Sequence, residues 1–345
     1  VFFSGFTKAK TKQAEACATR KSSPRDHRAQ VSTMRIVFCG TPEFAVPSLR
    51  RLAVEPGISV EAVITQPDRP RGRGGNVSAS PIKEAALAAG LHVYQPETIK
   101  SVSAQEFLKR VAPDAIVIIA YGQIIPARLL TIPRLGWMNL HGSLLPRYRG
   151  AAPIQWAIAN GETVTGLTTM QIDAGMDTGP ILLQRELEIG PDETSPELAA
   201  RMSELGASLV VDSLVQFDRG EIFPTPQDSK SATYAPILKK EDGRINWAQT
   251  ASQIYNRMRG FTPWPGTFSS FRGQTCHLWG RPEISVAAGS DTTPGQIDIS
   301  SKEIHVACGD STFLRLEFVQ LEGRKRISAQ EFANGARLAS SDRFF

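Results

Sequence analysis

The chain has 345 residues, 41% of them hydrophobic and 21% charged, a composition that can bury two ordinary globular cores. No apolar run approaches the roughly 18 residues a membrane-spanning helix requires, and the four cysteines (Cys17, Cys39, Cys276, Cys308) lack the C-x-x-C spacing of a thiolate metal site and the pattern of a disulfide framework. The formal charge of +5 sits at one end: residues 1–33 hold seven bases and two acids, so of 39 bases and 34 acids 32 of each remain in a neutral body, and any nucleic-acid site must be a local patch.

Residues 1–33 are rich in Lys, Arg, Ser, Thr and Ala and lack apolar periodicity. They read as a disordered tail, an organelle transit segment or an overextended start, since Met34 stands directly before the first convincing strand. A cytoplasmic protein is expected, or a mitochondrial or plastid matrix protein if the segment is a transit peptide.

Met34 to Cys39 is a continuous apolar strand closed by Gly40-Thr41-Pro42. A helical pattern through Phe44, Leu49 and Leu52 follows, then a strand from Val60 to Thr65, which together make a parallel βαβ unit. The alternation continues with a helix near Pro81 to Ala89, a strand at His92 to Tyr94, a helix near Ala104 to Val111 and a strand at Ala115 to Ala120. The opening turn lacks G-x-G-x-x-G, which argues against an NAD-dependent oxidoreductase on this scaffold. Between the second strand and its helix, Gln66 to Pro81 contains Arg69, Arg71 and Arg73 among glycines and prolines. No regular element is expected across it, and arginines on a glycine frame suit phosphate contacts.

A short apolar run from Leu135 to Leu140 reads as a buried strand ending in Asn139-Leu-His141. Two apart on a strand, Asn139 and His141 leave by the same face, one with an amide donor and the other with a ring that titrates near neutral pH. The chain then turns through Gly142 and Pro146 past Arg147 and Arg149. Taken alone, this is the polar end of a buried strand; with partners, it is a catalytic loop. Gly166 to Asp173 reads as another strand, running into a glycine-rich turn that presents Asp173 and Asp177, either of which can orient His141 or simply form the turn. Ser195-Pro196-Glu197 is a helix start with Ser195 as N-cap, followed by an apolar stripe to Leu214. Residues 223–236 read as a linker, and short alternating stretches from Thr267 to Val319 as a small β-barrel domain carrying Arg272, Arg281, Arg324, Lys325 and Arg326.

Gly40-Thr-Pro-Glu-Phe44, the Gln66 to Gly74 loop, Asn139-Leu-His141 with Ser143-Leu-Leu-Pro146, and Asp173 to Gly179 stand in the order and spacing that resemble the 10-formyltetrahydrofolate-dependent formyltransferases. The resemblance runs from Met34 to Phe345. It implies a Rossmann-like, mostly parallel sheet domain at 34–222, a linker at 223–236, and a C-terminal β-barrel (OB-like) tRNA-binding domain at 237–345. Asn139, His141 and Asp177 are implied as catalytic, with Asp177 positioning His141 and helping to move the amine proton through water. Ser143, Leu144, Leu145 and Pro146 are implied to line the folate site. Gln-Pro-Asp-Arg-Pro-x-Gly-Arg-Gly, the Arg149 to Gln155 run and Gly243-Arg-Ile-Asn-Trp247 point, within the family, to the branch that formylates the amino group of initiator methionyl-tRNA. Arg69, Arg71 and Arg73 are then the tRNA contacts, although Gly75 and Asn76 stand where the family often has lysines. The implied partners are that tRNA and 10-formyltetrahydrofolate as donor, with no metal, no membrane and a monomeric state. Formyltransferases acting on a sugar nucleotide or a purine precursor are the alternatives of the same chemistry; a non-catalytic RNA-binding protein is the alternative of another class.

Overall fold

In chain order the first part runs β1 (Met34–Gly40), α1 (Val46–Val54), β2 (Ile58–Ile64), β3 (Arg69–Arg71), β4 (Asn76–Ser78), α2 (Pro81–Ala88), β5 (Val93–Tyr94) and α3 (Val102–Val111). It continues through β6 (Ala115–Ile119), α4 (Ala127–Leu130), β7 (Trp137–His141), α5 (Pro153–Ala159), β8 (Val164–Gln171), β9 (Ile181–Glu188) and α6 (Ser195–Asp218). The computed structural model describes residues 33–71, 76–283, 293–299, 303–339 and 341–345. The expectations for residues 1–32 and for Arg73 fall outside them.

Seven strands form one sheet in the order β5-β2-β1-β6-β7-β8-β9, parallel as far as β7 and antiparallel at its last two pairings. The central strands β1 and β6 are buried on both faces, which is why they read as nearly unbroken apolar runs. Ile36 and Phe38 of β1 pack with Val117 and Ile119 of β6 beneath α1, α2 and α6. Val37 and Cys39 turn the other way, with Ile116, Ile118 and Trp137, toward Phe107 and Leu108 of α3. From β1 the chain steps outward to β2 and β5, then restarts on the far side with β6. The loops leaving β1 and β6 therefore diverge, and a crevice opens at the carboxyl ends of those strands.

Two expectations need correction. The Gln66 to Pro81 stretch holds a regular element: β3 and β4 pair antiparallel, Arg69 opposite Ser78 and Arg71 opposite Asn76. Such a two-stranded ribbon leaves alternate N–H groups unpaired, so Pro70 fits within it. The N-cap of α6 is Thr194, not Ser195; the Glu197 carboxylate accepts both the Thr194 N–H (2.8 Å) and its hydroxyl (2.7 Å), as in a capping box. Ser195 is buried, and its hydroxyl donates to the Gly260 carbonyl.

The second part comprises α7 (Ala251–Gly260), β10 (Phe268–Phe271), β11 (Gln274–Glu283), β12 (Ile297–Asp298), β13 (His305–Ala307), β14 (Phe313–Leu321), β15 (Ile327–Ser328) and α8 (Ala329–Ala336). Its strands form an antiparallel sheet, β10-β11-β14-β13-β12 with β15 against β14, around a core of its own that includes Trp247, Leu278, Val306 and Phe344. The two cores meet where α7 crosses α5. A Cβ on Gly260 would lie 2.8 Å from the Ala159 nitrogen, so only glycine permits this approach. Beside it Trp156 packs edge-on against Phe261, with the Arg257 guanidinium 4.9 Å from the Phe261 ring.

Candidate active site

Alternation along β7 decides where its polar residues go. Met138 and Leu140 enter the core beneath α1 and α6, whereas Trp137 enters the opposite one. Asn139 and His141 continue the Trp137 side, at the strand end where that face opens into a cleft. The Asn139 amide makes no hydrogen bond to another described residue.

His141 is 6% exposed, and its Nε2 lies 2.9 Å from the Tyr148 carbonyl. A carbonyl only accepts, so Nε2 carries the hydrogen and Nδ1 is the nitrogen left to exchange protons. Nδ1 faces Asp177 Oδ2 at 3.7 Å, beyond a direct hydrogen bond but within ion-pair reach. The same Oδ2 accepts the Gly150 N–H at 2.8 Å. Asp177 and Tyr148 both sit in the left-handed region, with φ of 53° and 59°, backbone states that cost about 1 kcal/mol or more outside glycine and persist when their surroundings fix them. Tyr148 is held by its N–H on Thr233 Oγ1 (2.8 Å) and its hydroxyl on Glu162 (2.6 Å). Burial and that carboxylate push the phenol above its ordinary range. Gly150 has φ of 120°, and a Cβ there would meet the Ala235 carbonyl at 2.6 Å, so glycine is what lets this N–H reach Asp177. Asp173 plays the other role open to it: its Oδ1 accepts the Gly175 N–H (2.9 Å) and the Thr178 hydroxyl (2.7 Å), forming the turn.

Ser143, Leu144, Leu145 and Pro146 form the bend after β7. The Ser143 hydroxyl donates to the Arg147 carbonyl at 2.6 Å and Leu145 is buried. Fully buried Thr168 on β8 ties the bend down, donating to the Ser143 carbonyl (2.7 Å) and accepting the Leu145 N–H (3.1 Å). Gln184 on β9 adds bonds of 2.9 Å to both Thr168 Oγ1 and the Leu145 carbonyl. The cleft wall passes from Gly142 to Gly150 without these four residues.

The cleft itself encloses about 760 Å³ at the β1/β6 crevice. Phe44 enters it from the loop after β1, Tyr121 to Ile125 from the loop after β6, and Ile172 to Asp177 from the turn after β8. Its walls are chiefly apolar, with Ile124 and Met176 largely exposed, and Asn139, His141 and Asp177 are among the polar residues that line it. The formyl transferase family matches residues 34–214, and its C-terminal domain matches residues 237–337. The chain is 54% identical to a methionyl-tRNA formyltransferase of Solibacter usitatus, over 90% of this chain and 98% of that one. It is 51% identical to a second, from Koribacter versatilis, over the same shares. The chain belongs to the methionyl-tRNA formyltransferase family. A Helicobacter canadensis N-formyltransferase, crystallised with folinic acid and dTDP-3-aminofucose, shares the fold at a TM-score of 0.59 and 18% identity, over 82% of this chain and 98% of that one.

In this methionyl-tRNA formyltransferase family member, Arg69 is exposed on the β3–β4 ribbon, while the side chain of Arg71 lies outside the described residues. The ribbon is rooted in the cleft wall: Gln66 donates to the Tyr121 carbonyl at 3.0 Å, and Gln123 to Gln66 at 3.3 Å. Asp68 is tied to Lys83 (2.5 Å) and Gln95 (2.8 Å), and those bonds hold its carboxyl below the usual range. On the C-terminal part, Arg272 is paired with Asp342, and Arg281 with Asp192 and Glu317. Arg324, Lys325 and Arg326 remain exposed, with the Arg326 guanidinium 4.1 Å from the Phe318 ring and 4.5 Å from Trp279. One described group has metal-ligand types, Glu283, Glu303 and His305 with donor atoms within 4.8 Å of one another, but Arg315 lies 3.7 Å from Glu283 and 3.0 Å from Glu303, where it would repel a cation. Sequence reasoning missed Thr168, Gln184, Thr233 and the Tyr121 to Ile125 wall. Their work is done by hydrogen bonds and loop placement, which leave no periodic signature.

Proposed function

We propose that the chain transfers the formyl group of 10-formyltetrahydrofolate to the methionine amine of initiator methionyl-tRNA. The amine nitrogen attacks the formyl carbon, giving a tetrahedral intermediate with a negative oxygen; the bond to folate N10 then breaks, and N10 takes a proton as the amine loses one. Asn139 and a protonated His141 hydrogen-bond that oxygen, stabilisation of the oxyanion-hole type. Asp177 stabilises the charged ring and relays the amine proton through water. The apolar slot between the Tyr121 to Ile125 loop and the Ile172 to Met176 turn suits a flat pterin ring, with backbone groups along its edges. Ser143, Leu144, Leu145 and Pro146 support the donor from the neighbouring bend, through the partly exposed Leu144 and Pro146 and the backbone.

The observation that carries this reading is an unpartnered amide, Asn139, beside a histidine whose free nitrogen faces a carboxylate, all in the wall of one cleft. Arg69 and Arg71 on the ribbon, Arg73 in the stretch of sequence that follows them, and Arg324 to Arg326 contact the tRNA backbone as phosphate ligands. Residues 34–222 then carry the chemistry and 237–345 grip the acceptor, with 223–236 joining them and the chain working as a monomer. The test is a formylation assay with 10-formyltetrahydrofolate and charged initiator tRNA, run beside sugar-nucleotide and purine-precursor amines. Transfer to the tRNA alone is expected; transfer only to a small amine would overturn the acceptor, and no transfer to any would overturn the reaction.

A further inference from the structure

The segment from 223 to 236 lies along the active site. Arg149 bridges to Tyr234 in parallel fashion, with the Arg149 N–H on the Thr233 carbonyl (2.8 Å) and the Ala235 N–H on the Arg149 carbonyl (2.7 Å). Upstream, Thr225 and Ile181 exchange both backbone bonds at 2.8 Å. Gln227 sits between these anchors. Its Nε2 donates to the carbonyls of Asp177 (2.9 Å) and Gly179 (2.7 Å), with the Met170 sulfur a weak third contact at 3.9 Å. Its Oε1 accepts both Nε (3.0 Å) and Nη2 (2.7 Å) of Arg149.

Both ends of this amide are thereby saturated. Arg149 is 3% exposed and has no carboxylate partner among the described residues, so its guanidinium depends on the Gln227 oxygen as acceptor. The two carbonyls need donors. Glutamate would meet Arg149 but brings no hydrogen for the carbonyls, and methionine has neither group. A few residues on, Thr233 accepts the Tyr148 N–H, and the Tyr148 carbonyl is the one that holds His141 Nε2. One stretch of chain therefore fixes the peptide of Asp177 and, through Tyr148, the ring of His141.

We propose that Gln227 and Thr233 are positioning residues of formyl transfer, which makes the 223–236 segment the back wall of the catalytic site. The inference rests on the roles given above to His141 and Asp177. Without the Gln227 amide, the left-handed turn at Asp177 loses its internal brace while the apolar cleft keeps its walls, so the chemical step suffers and substrate binding does not.

The experiment compares full-length wild type, Gln227→Glu and Thr233→Val in steady-state formylation of charged initiator tRNA with 10-formyltetrahydrofolate, each with a thermal melt. Gln227→Glu retains a partner for Arg149 but leaves the Asp177 and Gly179 carbonyls without a donor, so its melting temperature falls by about 2–6 °C, whereas Thr233→Val keeps the shape of an exposed side chain and melts within about 3 °C of wild type. The kcat of each variant is expected to fall about a hundredfold, the loss that a misplacement of about 1 Å produces, with KM for both substrates within about threefold. A loss in kcat under about tenfold for both variants would overturn the inference, as would losses that only follow a lowered melting temperature. If Gln227→Glu does not fold, Thr233→Val decides on the same criteria. An inactive wild type would refute the reaction itself; an active wild type with active variants refutes this inference alone.

Discussion

Replacing Asp177 by asparagine isolates the carboxylate's charge from its place in the turn. An asparagine oxygen can still accept the Gly150 N–H, so the turn keeps that bond, now 2.8 Å long. What disappears is a negative charge 3.7 Å from His141 Nδ1. At that separation, with an effective dielectric near 20, a charge pair is worth about 4 kcal/mol, or about a thousandfold in rate if the ring is charged only in the transition state. The side chain of Asp177 is 19% exposed, so screening trims this figure without removing it. The measurement is kcat for formyl transfer with both substrates saturating, alongside a thermal melt that should match wild type. A drop in kcat of less than about tenfold with a normal melt would refute the reasoning, because Asp177 would then act by shape and not by charge.

Thr168→Val keeps the side chain's volume while stripping the buried bend of its hydroxyl; the Ser143 carbonyl and Leu145 N–H lose a partner, which should cost about 3 kcal/mol in denaturant unfolding. Changing Arg69, Arg71 and Arg73 together to Ala should raise KM for tRNA and flatten its salt dependence while donor binding stays near wild type, as steady-state kinetics at several salt concentrations would show. Deleting residues 1–33 should leave formyl transfer unchanged, since the family match begins at residue 34; lost activity in the shortened, folded protein would contradict that.

The parallel core was legible because strands covered on both faces are apolar along most of their length: β6 is so throughout, and β1, β2 and β7 depart from it only at Arg35, Ser59, Glu61, Asn139 and His141. The pairing of Asn139 with His141 followed from strand alternation alone. Other elements left weaker traces. β9 lies at the sheet's edge and exposes much of its length, so Gln184-Arg-Glu-Leu-Glu188 looks like surface chain. The Gln66 to Pro81 stretch reads as loop because arginine, proline and glycine dominate its sequence, and the pairing of β3 with β4 is set by the partner strand, not by apolar periodicity. Asp177 is distinguishable from Asp173 only in three dimensions: both stand in the same glycine-rich turn, yet one carboxylate turns toward His141 and the other closes the turn. Gln227 carried no signal at all, standing in a stretch whose prolines and serines describe a linker well enough.

The strand that bears Asn139 and His141 is flanked by β6 on one side and β8 on the other, whereas among the described residues the ribbon that bears Arg69 pairs only within itself. That difference has an evolutionary side. A change in β7 must satisfy two neighbours and two cores at once, so drift there is steeply penalised. The ribbon can lengthen, shorten or change its charges while disturbing little beyond its root at Gln66. Such an architecture separates the strand that holds Asn139 and His141 from the ribbon that holds Arg69, so that the two can change independently.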